Sequence, residues 1–187
     1  RMKNSDELTL RLEKLQDQME TAGVDLTAIA PTSNMRYLLG FSPLADERLC
    51  LLLVTSESSR LVVPQLNADQ VEARAGVKGI RWSDEAGPQG ALRTALDKLD
   101  AHRPERLAAD AAMRADALLL LQETANPQHV VSAADLMASL RIRKSESEIK
   151  ALARAAAQAD RAMTVGIETC RPGVTERDVA ERIARYF

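Results

Sequence analysis

The chain is predicted to be an α/β domain whose mixed sheet is flanked by helices, followed by a purely helical stretch. Three observations predict it. Apolar residues at helical spacing alternate with short β-prone runs through roughly the first 135 positions, and such alternation covers a sheet with helices. Two apolar runs, Arg48 to Val54 and Arg60 to Pro64, are separated only by the polar cluster Thr55 to Ser59. That spacing reads as a hairpin, so at least one strand pair is antiparallel and the sheet is mixed. From Ser145 onward the pattern is helical alone.

Each element has its own signal. Leu8, Leu12, Leu15, Met19 and Ala22 line one helical face, and Gly23 ends that helix. Leu26 to Ala30 is a short β-prone run, and the hairpin follows. Asn67 to Ala75 reads as a helix, Val77 to Trp82 as a strand, and Gln89 to Ala101 as a second helix. Arg106 to Asp110 (strand), Ala115 to Thr124 (helix) and His129 to Ala133 (strand) complete the domain.

These boundaries place the α/β domain at residues 4–135, a partly helical linker at 136–144, and a second unit at 145–187. Ser145 and Glu148 form the S-x-x-E capping pattern at the mouth of a long helix. Its apolar stripe is Ile149, Leu152, Ala156, Met163 and Ile167. Arg171-Pro172-Gly173 breaks that helix, since Pro cannot continue it and Gly tolerates the turn. Thr175 and Asp178 open another, expected to run to Phe187 with Val179, Ile183 and Phe187 along one face. An apolar stripe with no downstream segment to cover it leads us to expect the front part of a longer polypeptide.

Composition narrows the function classes. Hydrophobic residues make up 45% of the 187 and aromatics only 3%, so Leu and Ala must fill the core of a globular protein. A net charge of -2 with interspersed signs offers no footprint for nucleic acid or an anionic membrane. The longest apolar runs are far short of the ~20 residues that span a bilayer. The N-terminus is a charged amphipathic helix rather than a secretory signal, and a cytoplasmic protein is expected. The two cysteines, Cys50 and Cys170, are read as separate reduced thiols.

Two segments carry a resemblance. Leu140 to Thr175 contains R-x-x-K-S-x-x-E-I, an Ala-rich helix and then R-P-G-V-T, and Ser33 to Phe41 reads S-N-M-R-Y-L-L-G-F. With Ser33 to Phe41 preceding Leu140 to Thr175 along the chain, the two together resemble the creatinase/prolidase/aminopeptidase P family, the pita-bread metallohydrolases. The resemblance implies a creatinase/prolidase-type N-terminal domain plus the first helices of a truncated pita-bread catalytic domain. It implies a parent that hydrolyses short peptides with proline at the second position, using two divalent metals (Mn, Co or Zn). Their ligands, two Asp, one His and two Glu, are expected beyond this chain. No metal or cofactor is expected within it, and the chain alone is expected to be inert. A homodimer through the N-terminal domain is also implied, with that domain edging the partner's active site.

The residues agree with inertness. His102 lies at a helix end and His129 opens a strand, and neither has a second ligand at H-x-x-x-H or H-x-D spacing. There is no G-x-S-x-G elbow, and the carboxylates spread over helix faces among Lys and Arg. The one candidate site residue is Arg48, expected to begin a strand. The resemblance puts there a cation for a substrate carboxylate, a task suited to the planar, bidentate guanidinium. Asn34, Tyr37, Gly40 and Phe41 read as structural: turn satisfaction, an anchored hydroxyl, a positive-φ turn and a packing anchor. Ala45-Asp46-Glu47 stands where creatinases carry aromatic residues, which favours the peptidase branches. The alternatives are a fragment of a creatinase-like small-molecule hydrolase, or of a metal-free pita-bread module that binds a peptide or protein.

Overall fold

The strand Leu26–Ile29 (β1) is buried along its whole length and sits inside a six-stranded sheet. The structure is a computed structural model describing residues 4–75 and 77–187. Two compact units make it up, Arg1–Arg141 and Ile142–Phe187. In the first, a helix Asn4–Ala22 (α1) ends at Gly23, whose φ of 60° places it in the left-handed region. After β1 comes a short helix, Ser33–Leu39 (α2), then the hairpin strands Leu51–Val54 (β2) and Ser59–Pro64 (β3). Helix Gln65–Ala75 (α3), strand Gly79–Trp82 (β4), helix Gln89–Leu99 (α4), strand Arg106–Ala109 (β5), helix Ala115–Ala125 (α5), strand His129–Ser132 (β6) and helix Ala134–Ile142 (α6) follow.

The strand order is β4-β3-β2-β1-β5-β6. β2 is antiparallel to β1 and β3, while the β3–β4, β1–β5 and β5–β6 pairs are parallel, so the sheet is mixed as predicted. Alternation along the strands sends side chains to two separate cores. Ile29, Leu52, Val54, Leu61 and Val63 meet α1, α2, α3 and α6 on one face. Leu26, Ala28, Leu51, Leu53, Val62 and Leu107 meet α4 and α5 on the other. Leu and Ala dominate both, which is how a chain with few aromatics fills a core.

Two sequence expectations need correction. The strand placed at Arg48 begins at Leu51, and residues 41–50 are irregular; β2 is also an interior strand with partners on both sides. The last helix stops at Ala184 rather than continuing to Phe187. The stretch 136–144, expected to be partly helical, contains most of α6, whose Leu136, Met137 and Leu140 are buried in the first core.

In the second unit, Glu146–Thr169 (α7) is capped by the reciprocal Ser145–Glu148 box, and Glu176–Ala184 (α8) by the Thr175–Asp178 box. Gly173, with φ 91°, makes the turn between them. Gly166 allows the two helices to approach closely, since a Cβ there would come within 2.7 Å of Ile183 Cδ1. Ile149, Leu152, Met163 and Ile167 stay 56–66% exposed. Among the described residues no helix is long and apolar enough to cross a membrane.

Candidate functional site

The sheet changes direction of growth between β1 and β5. The chain builds outward from β1 through β2 and β3 to β4, then returns to lay β5 on the other side of β1. The helix after β1, α2, packs on the first core, whereas the helix after β5, α5, packs on the second. Connections leaving two neighbouring parallel strands toward opposite faces open a crevice at the strands' carboxyl ends, the usual ligand position in open α/β sheets. Thr32 bridges the two strand ends, its Oγ1 donating to Asp110 Oδ2 at 2.7 Å. The same Oγ1 caps α2 by accepting from the Asn34 backbone at 3.1 Å.

A cavity of about 250 Å³ lies beside this reversal point. Its walls include Ala30, Leu49, Leu51, Trp82, Ala117 and Leu120, and its lip carries Asp46, Glu47, Arg48, Arg114 and Asp116. Trp82 fixes one wall: its buried Nε1 donates to the Leu49 carbonyl at 2.9 Å, tying the end of β4 to the irregular segment before β2. The turn at the lip is set by Asp46, whose Oδ1 accepts from the Arg48 backbone N–H at 2.9 Å. Cys50 lines the same cavity, and burial, reinforced by nearby Asp46, pushes its thiol up to about 12.

Arg48 is half-buried at the lip and already holds carboxylates. Nε and Nη2 each donate to one oxygen of Asp84 at 3.1 Å, and Nη1 donates to Glu47 Oε1 at 3.1 Å. The guanidinium holds the Asp84 carboxyl below its ordinary range. Arg114 is matched in the same bidentate way by Asp116, through Nε at 3.0 Å and Nη2 at 2.8 Å. Asp116 is likewise held low, first by that contact. Asp84, Trp82, Arg114 and Asp116 were not read as site residues from sequence. R-x-D at 114–116 and the sole tryptophan at a strand end were the available signals.

The motif residues Asn34 and Tyr37 lie away from this lip. Asn34 Nδ2 donates to Asp110 Oδ2 at 3.3 Å, and its Oδ1 accepts from Arg141 Nη1 at 2.7 Å. The Tyr37 hydroxyl donates to the Leu140 carbonyl at 3.2 Å, while the Arg11 guanidinium sits 4.4 Å above its ring. Gly40 supplies the expected positive φ, 70°, at the end of α2. Phe41 packs against the first core beneath Arg74.

Residues 11–143 match the model of the creatinase/prolidase N-terminal domain. The chain belongs to that family. It is 28% identical to the Xaa-Pro dipeptidase of Pyrococcus horikoshii over 95% of this chain and 47% of that protein. It is 32% identical to the probable dipeptidase PepE of Mycobacterium bovis over 87% of this chain and 44% of that one. The crystal structure of dipeptidase PepE from Mycobacterium ulcerans superposes with a TM-score of 0.85 and 28% identity, over all of this chain and 50% of that one. The chain therefore spans about half the length of the relatives it matches.

Family membership raises the question of metal. Among the described residues no three His, Cys, Asp or Glu side chains come together in a way that could hold an ion. His102 Nε2 pairs with Asp97 Oδ1 at 2.6 Å on an exposed surface, and His129 is exposed at the start of β6. The described side chains do not fit a dinuclear centre.

Proposed function

We propose that this chain is the N-terminal, active-site-edging portion of a proline-specific metallopeptidase of the Xaa-Pro dipeptidase type. The observation that carries the reading is the extent of the match: one Xaa-Pro dipeptidase aligns with 95% of this chain but only 47% of its own length. The metals and their ligands then belong to the half this chain does not cover, and two copies assemble through the domain described here. Within it, Arg48 faces the free carboxylate of a short peptide. Its guanidinium already adopts the bidentate geometry that task needs, with Asp84 in the acceptor's place.

The test is to produce this chain joined to the downstream half encoded by its gene, supply manganese, cobalt or zinc, and assay Ala-Pro and Gly-Pro. Hydrolysis by the longer protein and none by this chain is the expected result. A longer protein that binds metal yet leaves both dipeptides intact would overturn the assignment.

A further inference from the structure

The cavity at the β1–β5 reversal shares Arg48 with the peptidase reading, which leaves its apolar walls and its other lip residues unused. It has mostly apolar walls and a charged lip, the usual composition of a small-molecule site. Its size is informative. A dry apolar cavity of about 150 Å³ accepts benzene. At about 250 Å³, this one has room for a ring and a short chain.

The lip then decides what that chain should carry. Arg48 is satisfied by Asp84 and Glu47, and Arg114 by Asp116. Both guanidiniums are already paired, so an incoming anion must displace a carboxylate that is in place. Asp46 is different: its Oδ1 takes only a neutral backbone N–H, and it has no ion-pair partner among the described residues. Counting the lip together with Asp84, four carboxylates face two guanidiniums. Within that surround the incoming charge that lowers the energy is positive.

We propose that the crevice between the ends of β1 and β5 is a binding site for a compact apolar monoamine. The apolar body fills the space between Trp82, Leu49 and Leu120, and the ammonium is held by Asp46. The site is complete within residues 30–120. It needs no metal and no second half of the protein, so it stands or falls independently of the peptidase assignment.

Trp82 is the only tryptophan of the chain and forms part of the wall, so its fluorescence reports occupancy directly. The experiment titrates this chain at pH 7 and low salt with phenethylamine, 2-phenylethanol and 3-phenylpropionate. The amine is expected to give a saturable change, with the alcohol at least tenfold weaker and the acid weaker still. Asp46→Asn should weaken the amine about tenfold. Arg48→Gln, which leaves Asp84 and Glu47 unneutralised, should not weaken it. Ala117→Leu should fill the cavity and abolish saturation.

Amide shifts of the wild-type chain locate the site whether or not that last variant folds. Changes centred on Ala30, Asp46, Leu49 and Ala117 support the proposal. Changes elsewhere, an acid that binds as tightly as the amine, or an Asp46→Asn variant with unaltered affinity would each overturn it.

Discussion

Arg48 and Asp84 meet fork to fork, with Nε and Nη2 each 3.1 Å from a different carboxylate oxygen. On the proposed reading a substrate carboxylate competes with Asp84 for the same guanidinium. In the longer metallopeptidase we propose, Arg48→Ala is expected to raise KM for a free-acid dipeptide about tenfold or more, through loss of a charge-assisted contact. It should leave the same peptide with an amidated C-terminus unaffected. Asp84→Asn should lower KM for the free acid, and neither change should move Tm. Equal kinetics for both substrates in all three proteins would leave Arg48 with a purely local role.

The Thr27 side chain is fully buried, and its Oγ1 is the one buried side-chain oxygen without a hydrogen-bond partner among the described residues. An unpaired buried hydroxyl costs free energy that a methyl of the same shape does not. Thr27→Val is therefore expected to stabilise the domain by ~1 kcal/mol, or roughly 2–4 °C in Tm. Calorimetry showing an unchanged or lower Tm would mean that the hydroxyl finds a partner in solution.

Cys50 and Cys170 should behave as two different thiols. Cys170 is exposed and Cys50 buried, so a disulfide-exchange reagent should modify one thiol per native chain and two in denaturant. The raised Cys50 value also sets a pH dependence. Below about 9, the ordinary thiol value, the folded and unfolded forms both keep the proton and stability is unaffected. Between about 9 and about 12 only the unfolded chain ionises, so stability falls as pH rises, by at most ~1.4 kcal/mol per pH unit. Cys50→Ala should remove that slope, and denaturant titrations at pH 8 and 10 would measure it.

Tyr37 fastens the last turn of α6 by its bond to the Leu140 carbonyl. Tyr37→Phe keeps the ring beneath Arg11 and loses only the hydroxyl, so a loss of ~1 kcal/mol is expected. Hydrogen exchange should show faster opening confined to the end of α6. Uniform acceleration across the sheet would contradict a local clasp.

Much of the architecture was legible because it is local. The stripe from Leu8 to Ala22, the hairpin around Thr55 to Ser59, and both capping boxes are patterns over a few residues, and each produced its element. What was missed is mostly long-range. Asn34 finds Asp110 and Arg141 far away in the chain, and Arg48 finds Asp84 across β2 and β3, pairings that no periodicity encodes. α2 escaped because seven residues hold barely two turns, too few for a stripe to register. Helix in the 136–144 stretch was legible, but the burial of Leu136, Met137 and Leu140 was not, because it depends on a sheet assembled from the rest of the domain.

Placing β1 inside the sheet divides the folding of the domain in time. On one side β1 meets a strand close in sequence, Thr27 opposite Val54. On the other, Leu26 waits for Leu107. Loops of such different length close at different entropic cost, so the four-strand half from β1 to β4 should form before β5 docks. Leu53→Ala is then expected to slow refolding, and Leu107→Ala mainly to speed unfolding, in stopped-flow chevrons. The opposite pattern would place the nucleus on the β5 side. Until β5 arrives, the Leu26–Ile29 backbone is an open, apolar strand edge, the kind of surface on which a second unfinished chain can pair. Closing the sheet at that position is also what shields nascent chains from one another.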